Sequence, residues 1–264
     1  MMMYEWIDLL RFLVCLLFLS AASIYDIKTR EVPNLIWLFF APIGSVLTLI
    51  SLALNNWNTS LIMLSVISAA IIIGISFALF YLGLFGGADA KALMCLAASM
   101  PTYPSVESII LLPEIHPRRL LPPLSTFNNA VLAASLLVFV MALRNLADLI
   151  KNGMEVFEGL EEEKTVTKIL AFLTGFRIEA QKLRVGKHHY IILEEFNKEE
   201  DGRIRRSLKV FQRVNSEERK SIPKEIDGKI WVTIGLPFLV FITIGFALAM
   251  FVGDLVFWLV NAIV

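Results

Sequence analysis

Two aspartates, Asp26 and Asp89, stand at the ends of long apolar runs. Hydrocarbon cannot solvate a carboxylate, so an ionisable residue at membrane depth points to function. Two carboxyl groups held close together cannot both ionise cheaply; one keeps its proton and the pair titrates as a unit. The ionised member can take a proton from water while the other donates to a carbonyl oxygen. Asp89 follows Gly86-Gly87-Ala88 and precedes Ala90-Lys91. The two glycines lack Cβ atoms, so the backbone there can approach a neighbour closely or take positive φ. That suits an extended peptide, which needs backbone partners nearby. Asp26 follows Tyr25 and opens the polar segment Asp26-Ile27-Lys28-Thr29-Arg30-Glu31-Val32-Pro33-Asn34.

The elements that must position these aspartates are membrane helices. The chain has 264 residues, of which 57% are hydrophobic, and its mean hydropathy is +0.70. Soluble domains are about 45–50% apolar, and here the excess lies in several nearly uncharged runs that read as spans. The first run lacks a small-residue cleavage site and reads as a span rather than a signal peptide. Formal charge is zero, and residues 144–229 hold 18 of the 24 Lys+Arg and 16 of the 24 Asp+Glu. Elsewhere the acids are Glu5, Asp8, Asp26, Glu31, Asp89, Glu107, Glu114 and Asp254. No single-sign field for nucleic acid is present. Cys15 and Cys95 lie in apolar runs and read as packing residues. His116, His188 and His189 are scattered, so neither a metal site nor a disulfide framework is expected.

The spans fall at about Ile7–Tyr25, Leu35–Leu54, Leu61–Leu84, the short run Ala90–Met100, Leu124–Leu143 and the tail after Ile230. Asp8 and Arg11 open the first span, where polar side chains can reach the interface. Pro33 disfavours helix before it and suits a helix entry. Trp57 is placed as an interfacial anchor. Residues 101–123, with Leu111-Leu112-Pro113, are proline-rich and irregular. Pro237 is expected to kink the tail, and Gly253-Asp254 to interrupt it. Lys28, Arg30, Lys91, Arg144 and Lys151 fall on one side if the spans alternate, against Arg118-Arg119 on the other. The positive-inside rule then puts Asp26, Asp89 and the charged block in the cytoplasm, the termini outside, and Asp254 across the membrane from the pair.

The expected fold is an all-α polytopic membrane protein of about six transmembrane helices, with a small cytoplasmic α+β insert before the last helix. The expected divisions are 1–143, 144–229 and 230–264. In the insert, Val166, Ile169, Leu170, Leu173 and Phe176 recur at helical spacing, for a membrane surface or for the domain's own core. Tyr190-Ile191-Ile192-Leu193 and Ile204–Phe211 flank the turn-rich Asn197–Gly202 and read as a β-hairpin. Glu161-Glu162-Glu163 and Arg203–Arg206 read as solvated charge.

The segment from Asp26 to Val32-Pro33-Asn34 resembles the first catalytic segment of type IV prepilin peptidases. Gly86-Gly87-Ala88-Asp89-Ala90-Lys91 resembles their GxGD element, with Ala88 where the strict pattern has Gly. Motif order, span number and the late charged insert are most similar to the archaeal preflagellin (prearchaellin) and prepilin peptidases, as are Lys229-Ile230-Trp231-Val232-Thr233 and Gly253-Asp254. The resemblance covers most of the chain and is loose in 144–229. It implies an intramembrane aspartic endopeptidase with Asp26 and Asp89 catalytic and with no metal or cofactor. Gly86, Gly87, Ala88, Lys91, Arg30, Pro33 and Asn34 are the supporting motif residues. The implied substrates are preflagellin- and prepilin-like proteins, with a short basic leader before an apolar helix, cut at the cytoplasmic face of the cell membrane. The CxxC segment of the bacterial relatives that also carry N-methyltransferase activity is not found, so peptidase activity alone is expected.

Two other readings compete. A presenilin- or signal-peptide-peptidase-like protease would carry a Pro-Ala-Leu element, which this chain lacks. A proton-coupled transporter would spread acids across the bilayer depth and show repeats. Lys91 and Glu31 carry simpler readings as positive-inside and solvated charge. Asp254 reads as a helix-break or interfacial residue, and Tyr25 as either an interface aromatic or a hydrogen-bond partner of the pair.

Overall fold

The computed structural model describes residues 2–104, 121–185, 190–198, 204–209, 222–223, 225–226, 228–234 and 237–263. Arg118-Arg119, the three histidines, Leu111-Leu112-Pro113, Glu107 and Glu114 lie outside these residues. Contacts divide the chain into one unit of Met1–Ala134 with Pro237–Val264 and a second of Ser135–Leu236.

The first unit is helical: α1 Met2–Thr29, α2 Asn34–Leu54, α3 Thr59–Tyr81, α4 Gly87–Ser99, the start of α5 (Pro122–Asn152), α8 Phe238–Phe251 and α9 Leu255–Ile263. Four helices, α1, α2, α3 and α5, are long and apolar enough to cross a membrane. The α8–α9 pair, bent by 64°, makes a fifth if taken as one broken span. The 13 residues of α4 reach only about 20 Å at ~1.5 Å per residue, short of a hydrocarbon core. Outward-facing Leu17, Leu38, Phe39 and Val66 are exposed, as expected where lipid is the solvent.

The short helix is the centre of the unit. α1, α2, α3 and α8 all pack on α4, and Ala90, Ala92, Leu93, Cys95, Leu96, Ala97 and Ser99 are buried along it. Small residues permit this, because backbone approach takes the place of the hydrophobic drive inside a membrane. A Cβ at Gly44 of α2 would fall 1.7 Å from Ser99 Oγ, and one at Gly245 of α8 would fall 2.5 Å from the Thr126 carbonyl. α3 turns Ser65, Ser68, Ile72 and Ser76 inward.

Two expectations for this unit are corrected, and of the two readings of Asp254 the helix break holds. Asp8 and Arg11 turn into the bundle rather than outward: both are buried, and Arg11 Nη1 bonds Asp8 Oδ1 at 2.9 Å. A cavity of about 40 Å³ lies beside them, with room for water. Pro237 does not kink the last helix but precedes its first turn as N-cap. Asp254 does break the tail, yet it is fully buried rather than interfacial. It caps α9 by accepting from the Phe257 N–H at 2.9 Å, and Asn128 Nδ2 donates to it at 2.8 Å. The break itself contains Gly253 at φ 109°.

The second unit adds α6 Thr165–Thr174, β1 Phe176–Glu179, α7 Ala180–Val185, β2 Tyr190–Ile192, β3 Glu194–Lys198, β4 Ile204–Leu208 and β5 Lys229–Ile234 to the end of α5. One antiparallel sheet has the order β1-β5-β2 and a second pairs β3 with β4. The hairpin differs from the expected one. Tyr190–Ile192 pairs with β5, and Glu194–Lys198 takes its place opposite Ile204–Leu208. β5 extends into the stretch whose composition reads as the last span, with Ile230, Trp231 and Val232 buried in the sheet's core. Phe176 begins β1 instead of continuing α6, whose Val166 and Ile169 are exposed. Arg206 is not solvated charge. It clasps buried Glu194 at 2.8 and 2.9 Å, and the Trp231 N–H completes the site at 2.6 Å.

Candidate active site

The site is built where α1 ends. The last turn of α1 carries Tyr25 and Asp26. Arg30 stops the helix with φ 59°, and its N–H donates to the Asp26 carbonyl at 3.2 Å. This left-handed conformation costs a non-glycine residue roughly 1–2 kcal/mol. Thr29 Oγ1 tightens the turn by donating to the Tyr25 carbonyl at 2.9 Å and lies 2.8 Å from the Glu31 carbonyl. Pro33 is the N-cap of α2, with φ −57°, as its fixed φ favours.

Asp89 sits in the first turn of α4, where Gly86 is the N-cap. Its Oδ2 accepts from the Gly86 N–H at 3.1 Å. Glycine has no side chain, so this is the reciprocal half of a capping box alone. A Cβ at Gly86 would fall 3.1 Å from that same Oδ2, whereas one at Gly87 would meet only Phe80 at 3.8 Å. Neither glycine has positive φ, although that conformation was one expected use of the pair. What Gly86 supplies is room for the carboxylate it binds. Ala88 faces inward and packs against the buried core.

The two motifs meet. Lys91 Nζ donates to Asn34 Oδ1 at 2.8 Å, joining the Gly-Gly-Ala-Asp turn to the Pro-Asn entry of α2. Asp26 lies close enough to Asp89 for its charge to act there, and Arg30 acts on Asp26. No hydrogen bond joins the two carboxyl groups among the described residues. Both are half-buried, and Tyr25, Glu31 and Lys91 are exposed. Among the described residues no group of three His, Cys, Asp or Glu side chains converges as a metal site would require.

A third element enters that sequence reasoning missed. The first turn of α8 lies beside Asp26, with the Leu239 backbone near enough to act on its carboxyl group. α8 is fixed alongside α1 by the Ser23–Thr243 hydroxyl pair at 2.7 Å. The N-termini of α2, α4 and α8 therefore come to the end of the unit where the two aspartates sit. Free N–H groups and the positive ends of helix dipoles favour negative charge there. Pro237, just ahead of an apolar run, is the signal that could have marked this helix start.

The arrangement offers two carboxyl groups, helix-end donors and flanking cations, placed by two separated sequence motifs. Residues 13–143 match the type IV leader peptidase family, and residues 167–255 match the type II C-terminal segment of archaeal A24 peptidases. Together the matches take in both aspartates and most of the chain. The chain belongs to the type IV leader peptidase family. It is 29% identical over 250 residues to a preflagellin peptidase of Methanococcus voltae, covering 93% of this chain and 96% of the relative. A preflagellin peptidase of Methanococcus maripaludis is 25% identical over 252 residues, with 93% and 96% covered. One of Methanocaldococcus jannaschii is 24% identical over 261 residues, with 93% and 95% covered. A protease of the leader peptidase family, with several long apolar helices, is thus the frame for the two aspartates.

Proposed function

We propose that this protein is a membrane-embedded aspartic endopeptidase that removes short basic leaders from preflagellin- and prepilin-like proteins, with Asp26 and Asp89 as its catalytic pair. The observation that carries the reading is the joining of the two aspartate motifs by the Lys91–Asn34 bond, with Asp89 capped at the start of α4 and within reach of the Asp26 charge. The preflagellin peptidases it resembles give the substrate class.

In the mechanism, one carboxyl group is ionised and the other protonated. The ionised member takes a proton from water as the water oxygen attacks the scissile carbonyl carbon. The protonated member donates to the carbonyl oxygen, which becomes a hydroxyl of the tetrahedral intermediate. Collapse of that intermediate breaks the C–N bond, and the departing nitrogen takes a proton from the pair. The Gly86 N–H at the start of α4 holds the Asp89 carboxylate, and the start of α8 lies beside Asp26, where a helix N-terminus favours negative charge. Methyl transfer is not part of this reading.

Counting α4 and the bent α8–α9 pair as one span each gives six spans. Lys28, Arg30 and Lys91 then mark the aspartate end as cytoplasmic, where a basic leader and water are both at hand. The test uses membranes carrying the full chain and a substrate with a basic leader and an apolar helix. Asp26→Asn and Asp89→Asn are each expected to abolish cleavage while the protein still inserts. Cleavage retained by either variant would falsify the pair assignment. A metal chelator is expected to leave the wild-type rate unchanged, and a chelator-sensitive rate would require a metal centre instead.

A further inference from the structure

The same two helices hold α4 at both of its ends. At the first, Lys91 bonds Asn34 of α2, and Asp89 lies within reach of the charge of Asp26 on α1. At the second, Arg11 Nε of α1 donates to the Ser99 carbonyl at 3.1 Å. Thr48 Oγ1 of α2 lies 2.9 Å from both the Ala98 and Ser99 carbonyls. These carbonyls end α4, where intrahelical donors run out. A cation there also complements the helix dipole. Arg11 is itself fixed, by Asp8 Oδ1 at 2.9 Å and Ser51 Oγ at 3.3 Å. Asp8, Arg11, Thr48 and Ser99 are all buried.

An ion pair inside an apolar bundle is weak evidence for stability, since packed apolar side chains often serve as well. Its geometry is more informative. A helix is a rigid rod rising ~1.5 Å per residue, so the ten residues from Asp89 to Ser99 place the two ends about 15 Å apart. Whatever fixes the height and rotation of Ser99 fixes those of Asp89. We propose that Arg11, held by Asp8, and Thr48 are positioning residues for the cleavage reaction. By tethering the Ala98 and Ser99 carbonyls they set the depth and rotation at which α4 presents Asp89 to Asp26. The proposal rests on the catalytic pair assigned above. Sliding α4 by one residue moves Asp89 by ~1.5 Å and turns it by about 100°. A misplacement of about 1 Å can cost on the order of 10²-fold in rate.

The test measures steady-state cleavage of a leader-bearing peptide with an apolar segment by the full-length protein. Thr48→Val keeps the side-chain shape and removes the hydroxyl. Arg11→Met keeps the length and removes the charge, and Arg11→Lys restores a cationic donor. Asn129→Ala is the matched control. It cuts buried bonds to the Gly253 carbonyl at 2.8 Å and from the Leu255 N–H at 2.9 Å, away from α4. Thr48→Val and Arg11→Met are expected to lower kcat by about tenfold or more, with KM within about twofold. Arg11→Lys is expected to recover most of the loss, and Asn129→Ala to lower the unfolding temperature while keeping kcat. Wild-type kcat in Thr48→Val, or a loss confined to KM, would overturn the tether. So would an equal kcat loss in Asn129→Ala at equal stability. If Arg11→Met does not insert, Thr48→Val decides. Cleavage surviving in Asp26→Asn or Asp89→Asn would instead remove the catalytic pair itself.

Discussion

At Asp89 a single backbone hydrogen bond fixes the carboxylate, and a missing Cβ makes room for it. Gly86→Ala puts a methyl group 3.1 Å from Oδ2, so the carboxylate must shift by a few tenths of an ångström while keeping the Gly86 N–H. The expected result is a fall in kcat on the order of tenfold with little change in unfolding temperature. Gly87→Ala, with only Phe80 at 3.8 Å, is expected to cost less. Parallel kinetics of the two variants check this, and a larger loss at Gly87 would mean that its freedom is needed by bound substrate. Arg30 poses a different balance. Its left-handed backbone favours glycine, yet its guanidinium acts on Asp26. Arg30→Gly is therefore expected to hold or raise the unfolding temperature while slowing cleavage, a split visible when both are measured on one preparation.

Among the elements, α4 decides how tightly the bundle closes. At its crossing with α2, the Cβ of Gly44→Ala would fall 1.7 Å from Ser99 Oγ and 2.4 Å from Ser99 Cβ. Ser99 cannot simply swing away, because its hydroxyl donates to the Cys95 carbonyl at 2.7 Å. Overpacking of this kind costs about 1–3 kcal/mol. Gly44→Ala should lower the unfolding temperature in detergent, and Ser99→Gly in the same chain should restore part of it. Additive losses in a double-mutant cycle would show that the two residues do not share the crossing. The sequence exposed Asp26 and Asp89 because acids are scarce in apolar runs. Asp8 and Arg11 were harder to read, because a polar pair near a span's start looks alike whether it reaches water or turns inward. Only the packing of α4 showed which. Ile230-Trp231-Val232 misled for a related reason: a short apolar run has the same composition in a buried strand as in a span. The hairpin slipped because alternation marks a strand without naming its partner, and β5 claimed Tyr190–Ile192 from far along the chain.

For the molecule as a whole, the distribution of basic residues gives the site a side. Lys28 and Arg30 close α1 and Lys91 follows Asp89, all at the aspartate end, while residues 55–60 between α2 and α3 carry no basic residue. On the proposed reading, the positive-inside bias puts the aspartate end in the cytoplasm and the α2–α3 connection at the exterior. Reagent access can check both assignments, because the native thiols Cys15 and Cys95 are buried and contribute little background. Lys28 and Thr59 are exposed at opposite ends of the bundle. In intact cells a membrane-impermeant maleimide should label Thr59→Cys and spare Lys28→Cys; in inverted vesicles the pattern should reverse. Labelling of Lys28→Cys from outside would place the aspartates at the exterior face and cut them off from a leader still in the cytoplasm. Labelling of both positions from one side would deny that α2 crosses the membrane. The proposed chemistry needs α2 to cross, because α2 brings Asn34 to Lys91 at one end and Thr48 to the Ser99 carbonyl at the other. One helix then ties the proposed reaction site to the buried polar cluster at the other end of α4.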